Sequence, residues 1–324
     1  MKFQPDYQLQ ILTEEDFDRQ MPEILEQLKQ CKSEGEFSGF DGKSLHYEYF
    51  LAENSRGSVV VVHGLSEFTQ KYHEFAYYLL RQGYDVFLYD QRCHGLSCRL
   101  TDRTDMIHVD EFADYRKDLE CFMEQVVLPA AHKTLYLYAH SMGGAVALQY
   151  LAQEPQMFQK AVLSAPMIEP LTGAISPWLA RLGMGIWLLF GDAKRKFWYA
   201  NEFDPAFPFE KSNDESRARF DRNMRVRLSD PRYCTTPLTV GWVYQSLKLR
   251  RKLTSRRFLK QIQTPILLLT AQKDGVVSID AQNQVAQGCS VCRQIVQKDA
   301  KHALLTGSLE TLTEHMQLVL DHFC

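Results

Sequence analysis

No stretch of this 324-residue chain stays apolar for long. The longest run, Leu182 to Phe190, falls well short of the ~20 residues that a membrane-spanning helix requires. The first twenty residues, MKFQPDYQLQILTEEDFDRQ, hold no apolar signal-peptide core. A soluble protein is expected, cytoplasmic or peripheral at the cytoplasmic face of a membrane. An excess of charge is also missing. Lys and Arg number 37, Asp and Glu 40, and the net charge is -3, so nothing points to nucleic acid. The eight cysteines are scattered and are expected as reduced thiols. Cys289 and Cys292 form one C-x-x-C with no second pair, whereas zinc requires four ligands, or three and a water. No metal and no cofactor are expected. There is no internal repeat and no low-complexity segment.

Apolar side chains themselves are plentiful. The chain is 45% hydrophobic and 12% aromatic, enough for a large core. Residues 13–31 have helical spacing at Phe17, Met21, Ile24, Leu25 and Leu28, and this helix is expected to pack outside the core. SGFDGKSLHYEYFLAE reads as a hairpin turning at Asp41-Gly42. Strand-like runs follow at 58–64, 84–90, 134–140, 160–166 and 264–271, with a weaker one at 292–297. The middle runs are apolar on both faces, as a covered parallel sheet demands. Helical patterns such as YHEFAYYLLRQG separate them. This alternation predicts a doubly wound α/β fold.

One spacing is irregular. Residues 167–263 contain no clear strand, although a simple crossover needs only about 10–15 residues of helix plus loops. They are expected to form an inserted helical cap, with 1–166 and 264–324 as the core. The insertion holds 18 basic and 9 acidic residues, a net +9 in a chain whose total is negative. It is also rich in aromatics.

The stretch LYLYAHSMGGAVALQYLA, 135–152, carries the chemistry. A strand pattern runs to a serine, small residues follow, and a helix pattern starts at once. A serine hydroxyl needs a base before it can act as a nucleophile. A sharp strand-to-helix turn thrusts it out of the sheet, and crowding there requires small neighbours. That is the logic of the G-x-S-x-G elbow, present here as Ala139-His140-Ser141-Met142-Gly143. The base and acid should follow in the order acid, then His. His302, in DAKHALL, lies in a loop beyond the last strand. His315 and His322 fall in a terminal amphipathic helix and are read as surface residues. Asp274 follows a buried strand and is favoured as the acid over Asp280, a helix-start residue, and Asp299. Two backbone N–H groups are needed for an oxyanion. Met142, after the serine, offers one. Leu65, after the strand end at Val62-His63-Gly64, offers the other.

With these residues assembled, the chain resembles the α/β-hydrolase serine hydrolases that include bacterial lysophospholipases and monoacylglycerol lipases. The matching segments are HGLSE (63–67), YDQRCHGLS (89–97), HVDEFADYRKDL (108–119), AHSMGG (139–144), LSAPM (163–167), AQKDGVVS (271–278) and AKHALL (300–305). Within the insertion, RNMRVRLSDP (222–231) and TPLTVGWVYQSL (236–247) are similar to the bacterial lysophospholipase branch. The resemblance implies an α/β-hydrolase fold with a mostly parallel sheet, and a cap at 167–263. It implies Ser141 as nucleophile, Asp274 as acid, His302 as base, and Leu65 and Met142 as oxyanion donors. One position departs from the family. Cys93 stands where the D-x-R-G-x-G-x-S stretch has its first glycine, so if that glycine serves an unusual φ the loop 90–97 is expected to be built differently.

An esterase acting through an acyl-enzyme on single-chain lipid esters is therefore expected, with lysophospholipase as the first reading. A monoacylglycerol lipase or general carboxylesterase is the alternative. An aminopeptidase or a non-catalytic binding protein on the same scaffold ranks lower. The basic insertion suits a phosphate head group or an anionic membrane surface. Lys194 to Lys196 and the arginines of 217–232, Arg222 and Arg225 among them, are the candidates to meet the phosphate. Trp242 is a further substrate-binding candidate.

Overall fold

A computed structural model of the chain describes residues 1–131, 134–173 and 175–324. Its frame is one eight-stranded sheet. The strands are β1 (Lys32–Ser38), β2 (Ser44–Phe50), β3 (Gly57–Val62), β4 (Tyr84–Tyr89), β5 (Leu135–His140), β6 (Lys160–Ser164), β7 (Ile266–Ala271) and β8 (Cys292–Gln297). Their order is β1-β2-β4-β3-β5-β6-β7-β8. β1 and β2 form the expected hairpin, with Ser38 opposite Ser44 and Gly42 at a φ of 79° in the turn. β2 also runs antiparallel to β4, and the remaining pairs are parallel. Every residue of β3, β4, β5 and β7 is buried, which is why these strands read as unbroken apolar runs.

The helices are α1 (Glu14–Cys31), α2 (His73–Arg81), α3 (Ala113–Phe122), α4 (Leu128–Ala130), α5 (Met142–Gln153), α6 (Pro177–Trp187), α7 (Arg217–Ser229), α8 (Val240–Ser246), α9 (Leu249–Leu253), α10 (Arg256–Leu259), α11 (Ile279–Gly288) and α12 (Leu309–Phe323). They cover both faces. Side chains of α3, α5, α9, α10 and α11 pack with one face of the sheet. Those of α1, α2 and α12 pack with the other. α1 is therefore not outside the core. Its 3.6-residue period brings Phe17, Met21, Ile24 and Leu28 onto one buried stripe, each worth roughly 1.5–3 kcal/mol of burial. The Thr13 hydroxyl caps the helix by accepting the Asp16 N–H at 3.1 Å.

The terminal helix brings a second correction. His315 is fully buried, with Nε2 2.9 Å from the Tyr138 hydroxyl and Nδ1 2.7 Å from Gln297 Oε1. His322 is half-buried. Both lie on the packed side of α12, not on the solvent side.

The insertion follows β6. It contributes α6 to α10 and no strand to the sheet among the described residues. Its last part, α9 and α10, returns to the core through Leu249, Leu253, Phe258 and Leu259. α7 docks on α1 and α2 through a buried ion pair. Arg219 donates to both Glu74 carboxylate oxygens, at 2.9 and 2.6 Å, and to the Leu12 carbonyl at 2.9 Å.

Candidate active site

Ser141 stands between the end of β5 and the first residue of α5, with φ 50° and ψ −118°. An L-residue adopts that conformation only when its surroundings force it. The surroundings are tight. A Cβ on Gly143 would lie 2.2 Å from the Val62 carbonyl oxygen, and one on Gly144 2.5 Å from the Pro166 Cβ. The small residues after the serine let α5 start against the ends of β3 and β6.

The loops after β7 and β8 bring the other two candidates to the same edge. His302 Nε2 is 2.9 Å from Ser141 Oγ, and His302 Nδ1 is 2.7 Å from Asp274 Oδ2. Asp274 Oδ1 accepts the N–H groups of Val276 and Val277 at 2.8 and 3.0 Å. Burial works to raise the pKa of Asp274. The hydrogen bond and charge of His302, with the two backbone donors, outweigh it and hold the carboxyl below its usual range. The competing carboxylates are engaged elsewhere: Asp280 with Arg250 at 2.8 Å and Asp299 with Lys273 at 2.8 Å.

The two proposed oxyanion donors sit on either side of this serine. Met142 is the first residue of α5, so its N–H belongs to the unpaired first turn of the helix. Leu65 follows Gly64, and its N–H meets no acceptor among the described residues. A Cβ on Gly64 would lie 3.1 Å from the Ser141 Cβ, which measures how closely this loop approaches the serine.

Several residues hold that loop, and of them only Arg227, as one of the arginines of 217–232, has a role expected from sequence, and a different one. Glu67 Oε2 accepts the Gly64 N–H and the Tyr72 hydroxyl, both at 2.6 Å, and Oε1 meets Lys71 at 2.6 Å. Burial pushes the Glu67 pKa up, but Lys71, His140 and Tyr72 together hold it far below the carboxylate range. Arg227 of α7 donates to the Ser66 carbonyl at 3.0 Å and the Thr235 carbonyl at 2.8 Å. His140, whose ring lies 5.0 Å from that of His302, is buried and bonded to the Ser164 carbonyl. Burial brings its pKa down to about 4. Glu67 and His140 were visible only as letters within the motif segments; Arg227 was one of the candidate arginines of 217–232, with no local signal to single it out.

The loop 90–97 resolves the question of Cys93. Cys93 itself takes φ 62° and is fully buried, so the left-handed turn is kept and not rebuilt. The Asp90 carboxylate accepts the N–H groups of Thr69 and Leu96 at 2.7 and 2.8 Å. Arg92 is locked to Asp118 by two bonds of 2.6 and 2.7 Å, both side chains buried.

Ser141 and His302 open into a cavity of about 420 Å³. Phe68, Phe203, Phe207, Phe220 and Met224 give it apolar walls. Its cations are Lys71, Lys211 and Arg227, and its carboxylates Glu67, Glu202, Asp204 and Asp214. The positive charge of the insertion is thus not concentrated here. Arg222 and Arg225 line a different groove, between α1 and α7. Trp242 is buried in the core, its indole N–H 3.1 Å from the Tyr115 hydroxyl. None of these three side chains is brought to the serine: α7 turns Asn223, Met224 and Arg227 toward the cavity and Arg222 and Arg225 away from it, and α8 packs Trp242 into the core.

One cluster outside the site has the residue types of a metal centre: Glu34, His46 and Glu48, with ligand atoms within 4.8 Å of one another. The Lys32 ammonium lies 2.6 Å from Glu34 and 4.0 Å from Glu48, which puts a cation there already.

Residues 53–308 match the profile of the family described as serine aminopeptidase, S33. Lysophospholipase L2 of Escherichia coli (strain K12) is 31% identical over 304 residues, covering 90% of this chain and 87% of that protein. The monoglyceride lipase of Saccharomyces cerevisiae is 32% identical over 126 residues, 36% of this chain and 38% of that one. Among solved structures, a soluble variant of the Saccharomyces cerevisiae monoglyceride lipase in complex with a substrate analog superposes with a TM-score of 0.67. Its identity is 17%, over 88% of this chain and 94% of that chain.

Proposed function

The chain belongs to the serine aminopeptidase S33 family of α/β-hydrolases, and on that footing we propose that it hydrolyses carboxylic esters of single-chain lipids, lysophospholipids first. The observation that carries the reading is the Ser141–His302–Asp274 relay opening into a cavity walled by aromatic side chains. Ser141 Oγ attacks the ester carbonyl while His302 Nε2, 2.9 Å away, takes its proton. Asp274 fixes the imidazole tautomer and stabilises the imidazolium. The Leu65 and Met142 N–H groups receive the oxyanion. His302 then protonates the leaving alcohol, and a water activated by the same imidazole releases the acid.

Residues 167–263 act as the cap, supplying Phe203, Phe207, Phe220 and Met224 to the acyl-binding walls. For an anionic head group the cations within reach are Lys71, Lys211 and Arg227, the last being the one arginine of 217–232 that lines this cavity. The protein works at the cytoplasmic face of an anionic membrane. No described helix is long and apolar enough to cross one. α6 instead exposes Trp178, Leu179, Leu182 and Ile186, continued by Leu189 and Phe190, with exposed Lys194 and Arg195 beyond. An apolar face flanked by cations suits interfacial binding.

The test compares a lysophospholipid, a monoacylglycerol of the same chain, a p-nitrophenyl short ester and an aminoacyl anilide, with Ser141→Ala as control. The lysophospholipid should be the best substrate and the alanine variant inactive. A preference for monoacylglycerol would leave the relay intact and remove the head-group reading. Turnover of the anilide above the esters would overturn the lipid reading altogether.

A further inference from the structure

α7 separates two cavities, and only one contains Ser141. The other, about 500 Å³, lies between α1 and α7. That volume falls within the roughly 300–1,000 Å³ of small-molecule sites. Its apolar lining is Phe17, Met21, Leu25, Leu28, Phe50 and Val226. Its charged lining is Lys29, Lys32, Arg222 and Arg225, against one carboxylate, Asp18.

Three of these cations have carboxylate partners. Arg225 holds Asp18 at 3.0 Å, Lys32 holds Glu34 at 2.6 Å, and Lys29 lies 3.9 Å from Glu26. Arg222 differs. Its side chain is buried, with the residue 7% exposed. Nη1 donates to the Gln70 carbonyl at 3.1 Å, no carboxylate pairs with the guanidinium among the described residues, and Nε has no partner. Burial draws its pKa down to about 10, so it remains charged at neutral pH. His73, which also lines the groove, has a buried Nδ1 without a partner among the described residues. A buried, charged arginine with an idle donor costs stability unless an anion answers it. The neighbouring surface is apolar, so the anion that fits carries a hydrocarbon chain.

We propose that the groove between α1 and α7 is a second binding site, for a single-chain amphiphile with an anionic head, seated with its head on Arg222 and its chain over Phe17, Met21, Leu25 and Val226. Two sources share that chemistry: a free fatty acid and a lysolipid whose head is a phosphate monoester. The inference goes beyond the proposed reaction and does not require it.

The test is equilibrium dialysis below the critical micelle concentration, using the full chain carrying Ser141→Ala so that no ligand is consumed. The probes are laurate, lauroyl lysophosphatidic acid, dodecanol and dodecyltrimethylammonium. At least one anion should bind well above the alcohol and the cation, and the tighter anion identifies the source. Val226→Trp, which fills the groove from a half-buried position, and Arg222→Met, which removes the charge, should each weaken that anion at least about tenfold. Met224→Trp fills the Ser141 cavity and removes binding of the same amphiphiles there, so Val226→Trp and Arg222→Met are each compared in the Met224→Trp background, where binding in the groove should remain. Circular dichroism checks that each variant is folded. Equal binding of all four probes overturns the proposal. So does anion binding that survives Val226→Trp but is lost in Met224→Trp.

Discussion

A methyl group on Gly143 would sit 2.2 Å from the carbonyl oxygen of Val62 and 2.7 Å from that of His63. Both are backbone atoms, and both belong to the strand end that delivers the Leu65 N–H. The glycine therefore governs two parts of the site, the turn that holds Ser141 and the loop opposite it. Gly143→Ala must push one against the other. It should lower kcat on a p-nitrophenyl ester by a factor of at least about 100, the cost of losing one oxyanion donor, and lower the melting temperature as well. Wild-type kcat in a folded Gly143→Ala variant would dismiss this account of the turn.

Glu67 should behave as a positioning residue. Its carboxylate ties the Gly64 N–H, the Tyr72 hydroxyl and the Lys71 ammonium together beside the serine. Glu67→Gln keeps an acceptor but leaves the partly buried Lys71 ammonium unpaired, so a loss of about 2–3 kcal/mol in stability is expected, less than for a fully buried pair. Adding Lys71→Met should restore much of that stability. It should not restore kcat, because the loop remains untied, while KM for a short ester should move little. Urea denaturation and steady-state kinetics on the two variants separate these effects. Recovery of kcat along with stability would show that Glu67 acts through folding alone.

Cys93 holds a left-handed φ of 62° without being glycine, and it is fully buried. Two opposing terms follow from glycine there. The backbone strain of about 1–2 kcal/mol is relieved, while a small buried thiol is lost and the unfolded chain gains freedom. Cys93→Gly should therefore lie within about 1 kcal/mol of the parent by urea unfolding. Cys93→Val adds a β-branched side chain to the same φ and should lose more than about 2 kcal/mol. The reverse order would show that the thiol's packing, not the turn, sets the stability of this loop.

The sheet and the relay were legible because each rests on a local pattern. The apolar runs from β3 to β7 record burial on both faces, and the elbow records a steric need for Gly143 and Gly144. Chain order then selected Asp274 and His302. What escaped depends on which side of a helix meets which neighbour. α7 carries arginines nearly all round, so composition could not tell Arg227, which turns to the cavity, from Arg222 and Arg225, which turn away. Arg219 reads as another surface cation and is instead spent on a buried pair with Glu74. His315 looked solvent-facing because His is polar, but Tyr138 and Gln297, 177 and 18 residues away in sequence, supply its partners.

That buried histidine gives stability a definite pH dependence. Burial, with a smaller contribution from His140, brings the His315 pKa down to about 3, against about 6.5 in the unfolded chain. Between those values the unfolded state binds a proton that the native state refuses. The stability that the neutral ring contributes is thus complete above about pH 6.5, and is lost as pH falls toward 3. The loss should total a few kcal/mol, with a slope approaching about 1.4 kcal/mol per pH unit in mid-window. His140, with its pKa near 4, adds a second contribution of the same sign. His315→Gln offers an amide to Tyr138 and Gln297 but cannot titrate. Urea unfolding from pH 7 to 4.5 should show a shallower dependence for this variant by up to one proton. An unchanged slope would mean that the imidazole is already protonated in the folded protein.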